Sequence, residues 1–276
     1  MPAMPPPPEP FISFLTDFGD TAPATCRGVI WSILPTVRIN DLTHAASKFG
    51  IRDAALLLWS SLPYQPVGVH LAVVDPGVGT ARRPIALAVE RGDRLVGPDN
   101  GLLMPAAERL GGITAAHLIE NRSLMRPTVS HTFHGRDVFA PVAAHLASGF
   151  PIEEVGPVLD PADLVPLAFP RATPRAGGLD TSVAFVDSFG NARLAGEAAD
   201  LAALRGRLEP GDRFTVVTGD ERVTVAWQPT FGGVAPGELL LYEDADYAGL
   251  AIGLNQGSAA ERLGLSNDVP VRIEPA

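Results

Sequence analysis

Short apolar runs alternate, over the first half of the chain, with segments whose apolar residues recur at helical spacing. Residues 11–15, 37–42, 70–74, 84–89 and 94–96 read as strands. Residues 24–34, 53–60, 104–110 and 139–148 read as helices. In the second of these Ala54, Leu57 and Leu58 share one face, and Gly149 closes the last. Alternating strands and helices predict a parallel or mixed sheet covered on both faces. The pattern changes near residue 160. Pro161, Pro166, Pro170 and Pro174 mark a linker or an extended crossing segment. Beyond it, residues 181–186, 213–217, 222–226, 238–242, 250–254 and 269–273 are short strands separated by Gly, Pro and Asp turns. Those predict a small β-sandwich or barrel. The expected fold class is α/β: an N-terminal α/β sandwich-type domain with a mostly parallel sheet over 11–160, a Pro-rich linker over 161–178, and a smaller all-β, barrel-like domain over 179–276. Residues 1–10 form a proline-rich run expected to be a loose tail, since it has no apolar signal core.

Composition narrows the function classes. The chain has 276 residues, long enough for one large domain or two ordinary ones. A net charge of −10 argues against nucleic acid as a partner, because phosphate binding rests on Lys and Arg, and mildly favours a cationic ligand. One cysteine, Cys26, excludes an internal disulfide framework and a multi-cysteine metal site. No apolar run approaches the roughly 20 residues needed to cross a bilayer, so a cytoplasmic protein is expected.

Candidate chemistry collects where strands stop. The strand at 70–74 ends at Asp75; Pro76, Gly77 and Gly79 then force a tight turn, and Arg82 and Arg83 follow. In open α/β sheets ligands bind beyond the carboxyl ends of strands, so an acid there with a cation held close reads as a site. The alternative is an Asp-Pro-Gly turn with solvated arginines. Asp17 and the Asp99-Asn100 pair also end strands, suggesting a rim of oxygen ligands. Asp17-Phe18-Gly19 spells the kinase metal-binding tripeptide, but no Gly-rich phosphate loop or His-Arg-Asp loop accompanies it, and that reading is rejected. His134, just before an apolar helix, is a candidate general base, hydrogen-bond donor or helix-entry residue, while Asp137 suits the helix N-terminus. His131 and His134 lack a third ligand at zinc spacing. Asp187, Phe189 and Asn191 end a later strand, either as ligand contacts or as a β-turn with Asn in a left-handed position. Residues 255–263 form a small-residue loop entering a short helix, open to a planar ligand or to plain capping.

Taken in order, Leu15 to Gly19, Asp41 to His44, Val74 to Arg83, Gly97 to Leu103, Thr132 to Pro141, Phe189 to Asn191 and Gly257 to Leu263 resemble one family. It is the S-adenosylmethionine (SAM) hydroxide adenosyltransferases, or SAM hydrolases, relatives of the SAM-dependent fluorinase and chlorinase. The resemblance implies hydrolysis of SAM to adenosine and L-methionine by in-line attack of an activated water on the ribose 5′-carbon, with no metal or redox cofactor. It places the catalytic set on Asp75, Arg82 and His134, with Arg83 at the surface or between subunits. Asp17 matches the carboxylate that grips the ribose hydroxyls, and Phe18 and Asn100 fall among the substrate-binding positions. Asp187 and Asn191 match residues around the methionine and ribose. Phe189 and Phe231 would supply aromatic contacts, Phe49 a ring against the substrate, and Asn255, Ser258 and Ala259 the adenine edge. A homotrimer is implied, with substrate between the N-terminal domain of one subunit and the C-terminal domain of the next. The halogenases are the alternative; they lack the acid and arginine at the Asp75 turn and carry a halide-holding serine at the position of Gly135. A SAM or adenosine sensor with little turnover is the alternative from another class.

Overall fold

An apolar run with no charged side chain, β1 (Phe11–Thr16), is buried at every position and lies inside a six-stranded sheet. A strand covered on both faces has no need of the polar alternation seen at an edge. The computed structural model describes residues 9–245, 247 and 249–276, and the chain divides after Leu167 into two units. Of the run expected to be a tail, residues 1–8 lie outside the described residues. Glu9 and Pro10 are held by Arg38, which forms an ion pair with the first (3.0 Å) and donates its N–H to the carbonyl of the second (3.0 Å).

The first unit contains β2 (Arg38–Thr43), β3 (Val69–Val73), β4 (Pro84–Val89), β5 (Arg94–Pro98) and β6 (Ile113–Leu118). Their order is β2-β1-β3-β5-β4-β6; the first four in space are parallel, and β4 runs antiparallel to both β5 and β6. β6 was not anticipated: Ala115, Ala116 and His117 carry no strand preference, and the open edge of β4 supplies the pairing instead. α1 (Ala22–Ile33) starts earlier than the pattern predicts, with Pro23 in its first turn, where a missing N–H costs nothing. It shares one core with α4 (Ala140–Ala147): Cys26, Ile30, Phe139 and Ala143 pack with Phe14, Leu71 and Val73. Between β2 and β3, α2 (Ile51–Ser61) packs against α3 (Met104–Arg109). The chain enters α4 through a π-helical turn, Gly135–Phe139, a widening that tends to occur at functional positions.

Part of the expected linker is held on this unit. Leu164 is buried and the Val165 N–H donates to Asp99 (2.9 Å). In the second unit β7 (Thr173–Arg175) lies outside β8 (Gly178–Val186), followed by β9 (Ala192–Leu194), α5 (Ala198–Arg205), β10 (Arg213–Thr218), β11 (Glu221–Trp227), β12 (Leu239–Asp244), β13 (Gly249–Leu254), α6 (Ala259–Leu263) and β14 (Pro270–Pro275). Pairing of β14 with β8 closes a barrel of seven strands around Leu179, Val183, Phe214, Val216, Leu241, Ile252 and Ile273. α5, also unanticipated, is started by a capping box between Glu197 and Asp200 and stopped by Gly206. Among the described residues no helix is long and apolar enough to cross a membrane.

Candidate active site

β1 and β3 run parallel with Thr16 opposite Val73, so the loops that follow them leave the sheet at the same end. Asp17 and Asp75 stand on those loops. After Asp75 the chain turns twice: the Val78 N–H donates to the Asp75 carbonyl (3.2 Å), and the Thr80 N–H to that of Gly77 (3.2 Å). Gly79 makes the second turn possible. Its φ is +77°, and a Cβ there would stand 2.4 Å from the His131 carbonyl oxygen. The turn therefore returns Arg82 to Asp75 and seats the loop at 130–134 directly behind it.

Arg82 grips Asp75 with both prongs of its guanidinium: Nε donates to Oδ1 (3.0 Å) and Nη2 donates to Oδ2. The two side chains are 7% and 5% exposed. The Arg82 guanidinium also stacks over Phe139 (5.2 Å) and reaches Nδ1 of His134 (3.3 Å). Arginine can only donate, so this Nδ1 is the accepting nitrogen and the proton of neutral His134 sits on Nε2. Burial, then the Arg82 charge, lower the His134 pKa, with Asp75 and Asp137 pulling the other way. Neutral His134 is thus the favoured form at pH 7. Arg82 Nη1 is buried without a hydrogen-bond partner among the described residues.

The neighbouring arginine does something else. Arg83 donates from Nε to Asp99 (2.8 Å) and from Nη2 to the Asp163 carbonyl, all within this chain. Arg83 is one-third exposed and is turned away from Asp75 by its pairing with Asp99. Asp99 also accepts from Val165, which removes it from the supposed rim of oxygen ligands. Asn100 donates its amide to the Val74 carbonyl (2.9 Å) and accepts from the Leu102 N–H (3.2 Å). Its side chain braces the residue before Asp75. Asp17 accepts the Phe49 N–H (2.9 Å), and Phe49, with φ +62° and 69% exposure, holds an unpacked ring next to that carboxylate. Phe18 turns inward, edge-on to Phe133 (5.6 Å), and fills the space over Gly135, where a Cβ would lie 2.7 Å from its ring.

The second unit carries a separate set. Asp187 accepts four donors: the Phe189 and Asn191 N–H groups on Oδ1, and the Asn191 amide and Arg193 on Oδ2. About four lone-pair sites is a carboxylate's capacity, so in this structure Asp187 shapes the loop that displays Phe189, which is 79% exposed. Ser188, Phe189, Asn191, Phe231, Leu254, Asn255, Gln256 and Gly257 line a pocket of about 610 Å³. Phe231 leans on Tyr242 (5.1 Å). The Asn255 amide donates to the Val234 carbonyl (2.8 Å), leaving the loop backbone to line the pocket. Ser258 caps α6 by accepting the Glu261 N–H (3.0 Å), and Ala259 is fully buried in the first turn of that helix. Ser258 and Ala259 thus stand at the start of α6, directly after the pocket-lining residues 255–257. Gln256 lies within the small-residue loop read from the sequence, whereas Ser188 and Leu254 were not singled out; only their adjacency to Phe189 and Asn255 could have pointed to them.

Residues 12–156 match the SAM hydroxide adenosyltransferase N-terminal domain, and residues 181–272 match the C-terminal domain of the same family. A protein of Salinispora tropica named (R)-S-adenosyl-L-methionine hydrolase is 47% identical over 96% of this chain and 98% of its own length. A fluorinase of an Actinoplanes species is 29% identical over 63% of this chain and 67% of its own length. An uncharacterised conserved protein of Thermotoga maritima, solved by crystallography, superimposes with a TM-score of 0.86 at 35% identity, covering 95% of this chain and 99% of that one.

Proposed function

The chain belongs to the SAM hydroxide adenosyltransferase family, and we propose that it is a hydrolase that cleaves S-adenosyl-L-methionine with water to adenosine and L-methionine. The observation that carries the mechanism is the Asp75–Arg82–His134 constellation at the carboxyl end of the sheet. The substrate already holds a good leaving group. As water attacks the ribose 5′-carbon, a C–O bond forms, the C–S bond breaks, and sulfur takes the electron pair to leave as a neutral thioether. No acid is needed to expel it. The difficulty lies with water, which must be aligned and relieved of a proton.

Asp75 is the acceptor for that proton: Arg82 occupies part of its acceptor capacity and leaves lone pairs free. The bidentate grip fixes the plane of the carboxylate, and neutral His134, accepting from Arg82 at Nδ1, has its Nε2–H left to hold the water. Positioned acid–base help of this kind contributes roughly 100- to 10,000-fold. Asp17 takes the ribose hydroxyls and Phe49 faces the substrate, while the Phe189–Phe231 pocket of the second unit receives the adenosine. The chemistry calls for no metal or redox cofactor, since no electron changes hands outside the broken and formed bonds. Relatives are named for the (R) form of SAM, and sulfur in a sulfonium is a stereocentre; we assign the same epimer as substrate here.

The catalytic set and the aromatic pocket lie on different units, so we further propose a cytoplasmic homotrimer in which the first unit of one subunit and the second unit of the next complete each site. Halide displacement is the second reading, supported by the fluorinase relative. It is disfavoured by Gly135, where any side chain would have to displace the Phe18 ring. Asp75→Asn tests hydrolysis against mere ligand sensing. The expected result is a fall in kcat of about 100-fold or more with SAM affinity, measured by calorimetry, kept within a few-fold. Wild-type protein that binds SAM but turns none over, in water or with chloride, leaves the sensor reading.

A further inference from the structure

The Asp41-Leu42-Thr43-His44 segment carries chemistry that the proposed mechanism leaves unused. His44 stands just past β2, its side chain 15% exposed and its ring edge-on to Phe14 (4.7 Å). Nδ1 meets the Thr16 hydroxyl (2.9 Å). Thr16 Oγ1 also accepts the Phe18 N–H (3.3 Å). His44 Nε2 faces Asp41 Oδ1 (3.1 Å). Arg27, reaching over from α1, donates to the other oxygen of Asp41 (2.7 Å) and lies 3.3 Å from His44 Nε2. The backbone repeats the connection. The Gly19 N–H donates to the His44 carbonyl (2.9 Å), and the Ala46 N–H approaches the Thr16 carbonyl (3.4 Å).

Every one of these bonds ends on the turn Thr16-Asp17-Phe18-Gly19 or on the group that fixes His44. Asp17, in the middle of that turn, is itself bonded on the far side by the Phe49 N–H. A carboxylate on a short loop has freedom to swing unless the residues on either side are held. Here Thr16 is held by the His44 ring and Gly19 by the His44 backbone. We propose that His44 is a positioning residue for the ribose-gripping carboxylate: its bond to Thr16 holds the Asp17 loop in the binding geometry, with Asp41 and Arg27 fixing the ring. The proposal rests on the reading of Asp17 as the ribose ligand.

The test uses full-length protein and adenosine as probe, with Kd by calorimetry and kcat and KM for SAM alongside. Asparagine places its amide group where Nδ1 is, and glutamine places it where Nε2 is. His44→Gln and Thr16→Val both remove the His44–Thr16 bond, whereas His44→Asn keeps it. His44→Gln and Thr16→Val are expected to raise the adenosine Kd and the KM roughly five- to tenfold, the scale of one lost hydrogen bond, with kcat within about threefold. His44→Asn is expected to restore affinity to within about twofold. Asp17→Asn combined with His44→Gln should bind no worse than Asp17→Asn alone, since the two act through one contact. Wild-type affinity in both His44→Gln and Thr16→Val, or losses that multiply in the double variant, overturns the proposal. Should His44→Gln not fold, Thr16→Val decides. An Asp17→Asn affinity equal to wild type is a different failure: it removes the ribose role of Asp17 itself.

Discussion

Arg82 holds three partners at once: two carboxylate oxygens of Asp75, the accepting nitrogen of His134 and the face of Phe139. Burial of that arrangement, with the Arg82 charge second, favours the neutral histidine. Its pKa is lowered by burial first and by Arg82 second. A histidine whose folded pKa lies below its unfolded value near 6.5 binds fewer protons folded than unfolded, so its contribution to stability is full above about 6.5 and is lost as pH falls below it. The same sign applies to function. Neutral His134 is the form that Arg82 can contact, so activity is expected to hold constant from pH 8 to 6.5 and to fall only on the acid side. A histidine-resolved NMR titration and a kcat profile over pH 5–8 check this; a His134 titrating above 6.5 contradicts it. At this scale Asp75, Arg82, Asp17 and Asn191 could be singled out from the chain because each follows an apolar run or a glycine turn, and His134 because it precedes an apolar helix. The division of labour between Arg82 and Arg83 was readable only through family resemblance, since adjacent arginines look alike until Asp99 captures one of them.

The turn after β3 and the loop before the π-helical turn act as one part. Gly79 touches the backbone at His131, and Asp137, fully buried, accepts the Ser130 N–H (2.9 Å) and two donors from Arg136 (2.7 and 2.8 Å). Gly79→Ala adds a Cβ to a left-handed residue and drives it into a carbonyl. The expected cost is about 2 kcal/mol or more of folding stability, read from denaturant unfolding, with kcat falling further than the melting temperature alone explains. Wild-type kcat in a folded Gly79→Ala protein sinks the idea that this contact sets the site. The central strands were legible because burial on both faces leaves a continuous apolar run. β6 and α5 were not, because one is recruited by a free edge and the other by a cap, and neither has an apolar stripe long enough to show. The π-helical turn left no trace in the sequence beyond a glycine before an apolar helix.

At the scale of the molecule, the proposed function divides the task between an α/β unit that carries Asp75, Arg82 and His134 and a barrel that carries the aromatic pocket. The change in pattern near residue 160 and the four prolines that follow made two architectures legible, and the barrel's closure by β14 on β8 was not, since a short strand ending in Glu-Pro gives no hint of its partner. A net charge of −10 suits a cationic substrate. If each site draws on two subunits, a dead first unit and a dead second unit can be complemented. Mixing Asp75→Asn with Phe231→Ala subunits after dissociation and reassembly is expected to recover a substantial fraction of wild-type activity, and sedimentation should report a trimer. Activity that stays at the level of the separate variants places each site within one chain.

The most direct measurement supplies SAM, resolved into its sulfur epimers, to the purified protein in chloride-free buffer made with oxygen-18 water. Products are followed by chromatography and mass. Attack of water at the 5′-carbon predicts L-methionine and adenosine in equal amounts, with the heavy oxygen in the adenosine, and faster turnover of the (R) epimer. Adenosine without the label, or no product until halide is added, contradicts it.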